Sequence, residues 1–368
     1  PYDWAVTQNN LGVAYRNRII LKQADNLEAA IRYYLATLEV FTKEDFPYDW
    51  ARSQKNLGGA YRNKVGGDIE DNLETAIRYY LAALEVFRQE NFPYEWAETK
   101  NALGNTYLDR NQGEWKDNLE LAIQCYVSAL KVHTCEAFPQ VYAITLANLG
   151  FAYQSDQQFQ KAYDAFNSAT NTVEIQRGEI ISGFISQEDK QKFAERWNEI
   201  YQRLVEVCVE LDYRDQALEY IERSKTRNLV ELLLIKDRPT IFPAEVVAQL
   251  DRFQNELASS QYHLQNATTE NPTALTQYLQ QLRQQRNKLQ DRYLPIGSSF
   301  QFNPFRSTLR DRTAIVEFYI ATDKLLVFII TKQTQQPIIL SPDLINLNKL
   351  AKWANNYLKA YNNKKSHW

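Results

Sequence analysis

Apolar residues in the first half of the chain recur at helical spacing and are interrupted at regular intervals. Trp4, Leu11 and Tyr15 fall at i, i+7 and i+11, one face of a helix, with Gly12 beside them where a neighbouring helix can approach closely. A second stripe, Ala30, Ile31, Tyr34 and Leu38, follows Asp25-x-x-Glu28, which has the form of a capping box in which Asp25 accepts from free amides and Glu28 reaches back. Further along, Val246, Leu250, Phe253 and Leu257 are spaced 4, 3 and 4, and Leu275, Tyr278, Leu282 and Leu289 are spaced 3, 4 and 7, on either side of a polar N-A-T-T-E-N-P stretch. That is the heptad-like pattern of two antiparallel helices. The period then drops to two. Ala314, Val316, Phe318 and Ile320 alternate with Ile315, Glu317 and Tyr319, while Leu325 to Ile330 is continuously apolar, as in a strand covered on both faces. Gln336 to Leu340 offers a third strand, and Ser341-Pro342 opens a helix with the stripe Leu344, Leu347, Leu350, Ala354 and Leu358.

Three markers in the first half keep one period. P-Y-D-W-A at Pro1 and Pro47, P-Y-E-W-A at Pro93 and P-Q-V-Y-A at Pro139 stand 46 residues apart each time. N-L-G follows at Asn10, Asn56 and Asn148, with A-L-G at Ala102, and D-N-L-E recurs at Asp25, Asp71 and Asp117. A helix pair of this kind cannot bury its apolar face alone, so successive pairs must stack into a solenoid. Leu11-Gly12, Tyr15, Ala30, Tyr34 and the small position at Thr37, Ala83 and Ala129 resemble the tetratricopeptide repeat (TPR), whose usual period is about 34 residues. Tyr15 to Ala30 spans fifteen residues where that family has nine, and the return from Thr37 to Leu57 is six longer, which together account for 46. In the fourth copy Tyr153 to Ala162 is back to nine.

The expected organisation is mainly α. A TPR-type solenoid covers 1–177 in four repeats starting at 1, 47, 93 and 139, and a degenerate, capping helical repeat covers 178–238, with helices from Trp197 to Leu211 and Asp215 to Leu233. A coiled-coil-like helical hairpin covers 239–297, and a small, incomplete α/β segment covers 298–368. Three strands and one helix leave a doubly covered strand without a second layer. The run A-L-E-Y-I-E-R-S-K-T-R-N-L-V-E-L-L from Ala217, the long helical insertion and the A-I-V-E-F-Y-I / L-L-V-F-I-I hairpin together resemble the junction in bacterial TPR proteins that carry a CHAT domain, a caspase-like peptidase module. That resemblance implies a cysteine-histidine dyad placed later in the domain than this hairpin, and no position in the chain matches it. The chain opens on Pro1 and holds no methionine, so it is expected to be a piece of a longer or processed protein.

Composition narrows the function classes. A net charge of −3 over 368 residues gives no electrostatic reason to expect nucleic acid, and no run of eighteen apolar residues or signal pattern predicts a membrane span or export. The expected location is the cytoplasm. Cys125, Cys135 and Cys208 are too few and too irregular for a disulfide framework or a zinc site, and no metal or cofactor is expected. Cys125 takes the repeat position of Tyr33 and Tyr79, and His133 that of Phe41 and Phe87; both read as packing substitutions. Cys208 lies on an apolar stripe, His263 on the hairpin and His367 in a polar tail, so no catalytic residue is assigned. Gly58-Gly59 and Gly66-Gly67 are not phosphate loops, and N-A-T at Asn266 is a chance match to a glycosylation acceptor.

The candidate site is the concave groove. In the TPR family ligand contacts fall on the first helix of each pair, which by resemblance points to Asn9, Asn10, Arg16, Lys55, Asn56, Arg62, Asn101, Asn105 and Asn148. Asn can hold a peptide backbone by paired donor and acceptor, and Arg or Lys can hold a carboxylate; the same Asn residues could equally hydrogen-bond a neighbouring repeat. The expected function is a protein- or peptide-binding regulatory region of a CHAT-type peptidase, this stretch itself inactive. The alternative is a non-catalytic scaffold.

Overall fold

A computed structural model describes residues 1–18, 23–175, 187–236, 238–266, 268–269, 271–293, 300–322, 324–340 and 352. The helix expected from Ser341 to Leu358, and His367, lie outside these residues. The chain divides into two compact units, 1–158 with 261–277, and 159–260 with 278–368.

The first unit is a stack of helix pairs: α1 (Tyr2–Arg16) with α2 (Gln23–Thr37), α3 (Pro47–Arg62) with α4 (Ile69–Leu84), α5 (Pro93–Asp109) with α6 (Trp115–Ala129), and then α7 (Pro139–Ser155). Proline opens α3, α5 and α7, where its missing N–H costs nothing and its fixed φ suits the first turn. Each pair is closed by one tyrosine over one glycine. A Cβ at Gly58 would come within 2.8 Å of the Tyr80 ring, and one at Gly104 equally close to Tyr126. Only glycine permits that approach.

Stacking buries the leucine of each Leu-Gly against the second helix of the preceding pair. Leu57 packs on Ala30, Ile31 and Tyr34, Leu103 on Ala76, Ile77 and Tyr80, and Leu149 on Leu119, Ala122 and Tyr126. Trp4 and Leu11 were expected on a buried face, yet they are 45% and 36% exposed, because no described helix stands where a preceding pair would cover them. Thr37, polar at the small position, is satisfied by donating to the Tyr34 carbonyl and by a 2.7 Å hydrogen bond to Ser53 in the next pair.

The capping-box reading of D-N-L-E is corrected. Asp25, Asp71 and Asp117 sit in the first turn, two residues after the helix begins, where a negative charge favours the helix dipole. In α4 the N-cap is Asp68, whose carboxylate accepts from the amides of Glu70 and Asp71. The following asparagine ties down the preceding loop: buried Asn26, Asn72 and Asn118 donate to the carbonyls of Arg18, Gly66 and Gln112 at 3.0, 3.1 and 2.8 Å. A 46-residue repeat has a longer connection inside each pair, and this asparagine satisfies its backbone.

The second unit packs α8 (Phe159–Ile175), α9 (Gln187–Glu210) and α10 (Arg214–Lys236) side by side, followed by a short α11 (Arg238–Ile241). Trp197, Tyr201, Leu204, Cys208, Ala217 and Ile221 are buried in it. Glu174 joins the three helices: Arg223 donates to both its oxygens at 3.0 and 2.6 Å, and the Tyr201 hydroxyl donates at 2.6 Å. The hairpin helices are α12 (Ala244–Gln265) and α13 (Pro272–Asp291), of which residues 261–277 group with the first unit. On α12 the buried positions are Val246, Leu250, Leu257 and Ser260. On α13 they are Leu279, Leu282, Arg283 and Arg286, so the seam shifts by one from the expected Tyr278 to Leu279. Leu275, Leu279, Leu282, Arg286 and Leu289 then keep the 4-3 spacing, and exposed Tyr278 instead donates to Glu256.

After α14 (Phe302–Ser307), β1 (Ala314–Ile320), β2 (Leu325–Thr331) and β3 (Ile338–Leu340) form an antiparallel sheet in the order β1-β2-β3, with Val316 opposite Ile329 and Val327 opposite Leu340. The alternation expected from the sequence places Glu317 and Tyr319 on the face toward α9 and α10, where Lys225 pairs with Glu317 at 2.6 Å and Gln202 donates to the Ile320 carbonyl. The other face is apolar and largely uncovered among the described residues: Val316, Phe318, Ile320, Ile338 and Leu340 are exposed, Phe318 at 63%. The central strand β2 is buried over most of its length.

Candidate functional site

The first helices of successive pairs, α1, α3, α5 and α7, touch one another and form one layer of the first unit. Ligand-contact positions expected from the sequence all lie on this layer. Their partners follow a register. Most links join a residue to the one 47 positions on, so neighbouring first helices are staggered by one residue relative to the 46-residue repeat.

Asn56 donates to Asn9 at 3.0 Å and Asn148 to Asn101 at 3.3 Å, and Asn9, Asn56 and Asn148 are buried. These side chains hold repeat to repeat. Between the two links the register brings Lys55 and Ala102 together, where no such bond is made, and Lys55 instead pairs with Glu98 at 2.8 Å. Arg62 pairs with Asp109 at 2.8 Å, and Asn105 accepts from the Tyr126 hydroxyl at 2.7 Å. Among the described residues, Asn10 and Arg16 make no side-chain hydrogen bond or ion pair, Asn10 being exposed and Arg16 half-buried. The same register that gives Arg62 its aspartate gives Arg16 only Asn63, which donates to the Gly59 carbonyl.

The P-Y-[D/E]-W motif builds the layer's edge. Tyr2, Phe41 and Phe46 form a ring trio with centroids 5.3 to 5.8 Å apart, and Tyr48, Phe87 and Phe92 repeat it at 5.4 to 5.8 Å. Tyr2 donates to Asp49 at 3.1 Å and Tyr48 to Glu95 at 3.0 Å, the acidic residue of the next motif. Sequence reasoning missed these links, although the Tyr-Asp and Tyr-Glu pairs were legible in the motif.

The third copy departs from the template. Its trio is Tyr94, His133 and Phe138, which confirms His133 in the place of Phe41 and Phe87. The fourth motif holds Val141 instead of an acid, so Tyr94 donates at 3.2 Å to Glu98 on its own helix, while Gln265 lies 3.4 Å from the Tyr94 hydroxyl. Burial acts to raise the Glu98 carboxyl, but Lys55, the Tyr94 hydroxyl and His133 outweigh it and hold its pKa below the ordinary value. His133 is fully buried, with Nδ1 3.4 Å from the Thr145 hydroxyl and Nε2 without a partner; burial drives its pKa down to about 4, against the opposing pull of Glu98.

Neither buried cysteine is activated. Burial pushes the Cys125 thiol up to about 11 and the Cys208 thiol up as well, which disfavours the thiolate. His133 and Cys135 lie in the connection between α6 and α7 rather than on a helix. The His263 ring meets the Thr268 hydroxyl at 2.9 Å and the Tyr262 ring edge-on.

No described helix is long and apolar enough to cross a membrane. No protein-family profile matches the chain, and no curated protein sequence matches it. Among solved structures it is similar to the crystal structure of MamA, with 18% identity, 58% of this chain and 99% of that chain covered, and a TM-score of 0.38. It is similar to the apo form of RapI, with 13% identity, 78% and 99% covered and a TM-score of 0.43. The apo form of the quorum sensor NprR from B. thuringiensis matches with 19% identity, 80% and 77% covered and a TM-score of 0.43. The helix pairs, their glycine-tyrosine closures and their 46-residue period make the first unit a TPR-type helical solenoid.

Proposed function

We propose that the chain is a binding module for a protein or peptide, with the layer formed by α1, α3, α5 and α7 as its ligand surface. The observation that carries this reading is the difference along the layer. In the second to fourth copies the expected contact residues are spent within the solenoid, Lys55 on Glu98, Arg62 on Asp109, Asn105 on Tyr126 and Asn148 on Asn101, whereas Asn10 and Arg16 in the first copy make no side-chain hydrogen bond or ion pair among the described residues. Binding titrations with Arg16, Lys55 and Arg62 changed to Glu test the surface. Affinity falling by tenfold or more supports it, and unchanged affinity removes it.

The finer reading is that the module regulates a CHAT-type, caspase-like cysteine peptidase, whose catalytic dyad is carried by residues other than these. It is supported by the order of helical repeats, helical hairpin and antiparallel sheet, and by a sheet face whose exposed Val316, Phe318 and Ile320 fit a larger α/β layer. Burial disfavours the thiolate at Cys125 and Cys208, which equally suits a scaffold without catalysis. Proteolysis by the full-length protein, with and without residues 1–177, separates the two. Partner-dependent cleavage that needs the repeats supports regulation; cleavage indifferent to them, or absent altogether, favours the scaffold.

A further inference from the structure

The second helices carry a row of apolar side chains that the solenoid does not use. Leu35, Leu81 and Val127 stand 46 residues apart on α2, α4 and α6 and are 40, 46 and 42% exposed. Single exposed leucines are ordinary, but the same position left open in three successive copies makes a strip. The second helices lie side by side: Tyr79 of α4 packs on the cluster of α2, and Cys125 of α6 on that of α4. Charge flanks the strip. Three residues before it stand exposed Arg32, Arg78 and Gln124, and four residues after it exposed Glu39, Glu85 and Lys131, on the same helix face. Arg32 and Glu39 make no side-chain hydrogen bond or ion pair among the described residues, and Glu85 stays exposed although it pairs with Lys43 at 2.6 Å. Helix stability does not explain this order. Glu39 and Glu85 stand at the C-terminal ends of α2 and α4, where the helix dipole disfavours a negative charge.

We propose that this face is an interface between two copies of the chain, paired about a two-fold axis that runs along the apolar strip. Such an axis reverses the helix direction and sets each second helix against its own copy, so Leu35, Leu81 and Val127 each meet themselves. The flanking rows then exchange. Arg32 meets the partner's Glu39, Arg78 the partner's Glu85 and Gln124 the partner's Lys131, with no like charges opposed. A parallel pairing would set arginine on arginine. With 15 to 16 residues each, α2, α4 and α6 are about 23 Å long. Side by side at about 10 Å they offer roughly 700 Å², near the ~800 Å² per partner of a specific interface. The pairing uses no side chain of the layer formed by α1, α3, α5 and α7, so it goes beyond the reading of that layer as a ligand surface.

Sedimentation velocity of the full chain over roughly 1 to 200 µM tests the pairing. A monomer-dimer equilibrium with a Kd of about 1 to 100 µM is expected. Leu81→Asp puts two carboxylates face to face on the axis and should raise Kd about thirtyfold or more. Arg32→Glu turns both Arg32 pairs into repulsions and should raise it about tenfold. Adding Glu39→Arg to that variant should bring Kd back to within about threefold of the parent, because each pair is restored with its charges exchanged. These side chains are exposed, so far-UV circular dichroism should be the same in every variant. A chain that stays monomeric at every concentration overturns the proposal and leaves the strip for a different protein. A dimer that keeps its Kd in Leu81→Asp and Arg32→Glu overturns it too, as does a loss in Arg32→Glu that Glu39→Arg fails to repair.

Discussion

The second and third repeats share one template and reach opposite electrostatic ends. In the second, Tyr48 reaches the acid of the next motif, Phe87 completes an aromatic trio, and Gly59 leaves the Tyr80 hydroxyl unanswered. In the third, Tyr94 turns back to Glu98, His133 replaces the phenylalanine, and Asn105 satisfies Tyr126. The apolar frame is held constant while polar groups are exchanged one at a time. Each difference can therefore be undone by a single substitution.

The largest expected effect is at His133. Its folded pKa of about 4 lies below the ordinary 6.5, so the unfolded chain binds more protons between those values and stability falls as pH drops through that window. His133→Phe, which restores the second repeat's residue, should remove this loss, worth roughly 2 to 3 kcal/mol at pH 4, and should also gain about 1 kcal/mol at pH 7 by deleting the unpartnered Nε2. Urea midpoints of both proteins from pH 7 to pH 4 measure it; parallel curves would refute the assignment. Next is Gly58→Ala, which forces a methyl into the Tyr80 ring and should cost about 2 kcal/mol, with Gly104→Ala alike against Tyr126.

Tyr48→Phe should cost about 1 kcal/mol by removing the hydroxyl that joins the second repeat to Glu95 of the third. Thermal melts of this variant beside Tyr94→Phe compare a bond between repeats with one inside a helix; amide exchange should rise on both α3 and α5 only in the first. The smallest effect is a gain. Gly59→Ala should raise stability by up to about 1 kcal/mol, opposite in sign to its neighbour, and a loss there would show that Gly59 is needed for packing after all.

Much of the frame was legible. Leu57, Leu103 and Leu149 are buried as their spacing required, and β1 alternates as its period-two pattern required. The candidate site was legible as a set of positions but not as a set of roles. Asn56 and Asn148 occupy the same motif position as Asn10, yet they are buried in links to the preceding copy while Asn10 is exposed. D-N-L-E misled in the same way: its aspartate looked like the cap, and the asparagine beside it does the tying down.

Sequence alone determined the period, the close-approach glycines, the alternation of β1 and the substitution of His133 into an aromatic position, because each follows from local geometry repeated along one chain. Tertiary structure decided which side chains are spent and which remain open. That depends on the one-residue stagger between stacked first helices, which sends most linking side chains to a partner 47 positions on and puts Asn63 at the register position of Arg16 where Arg62 has Asp109.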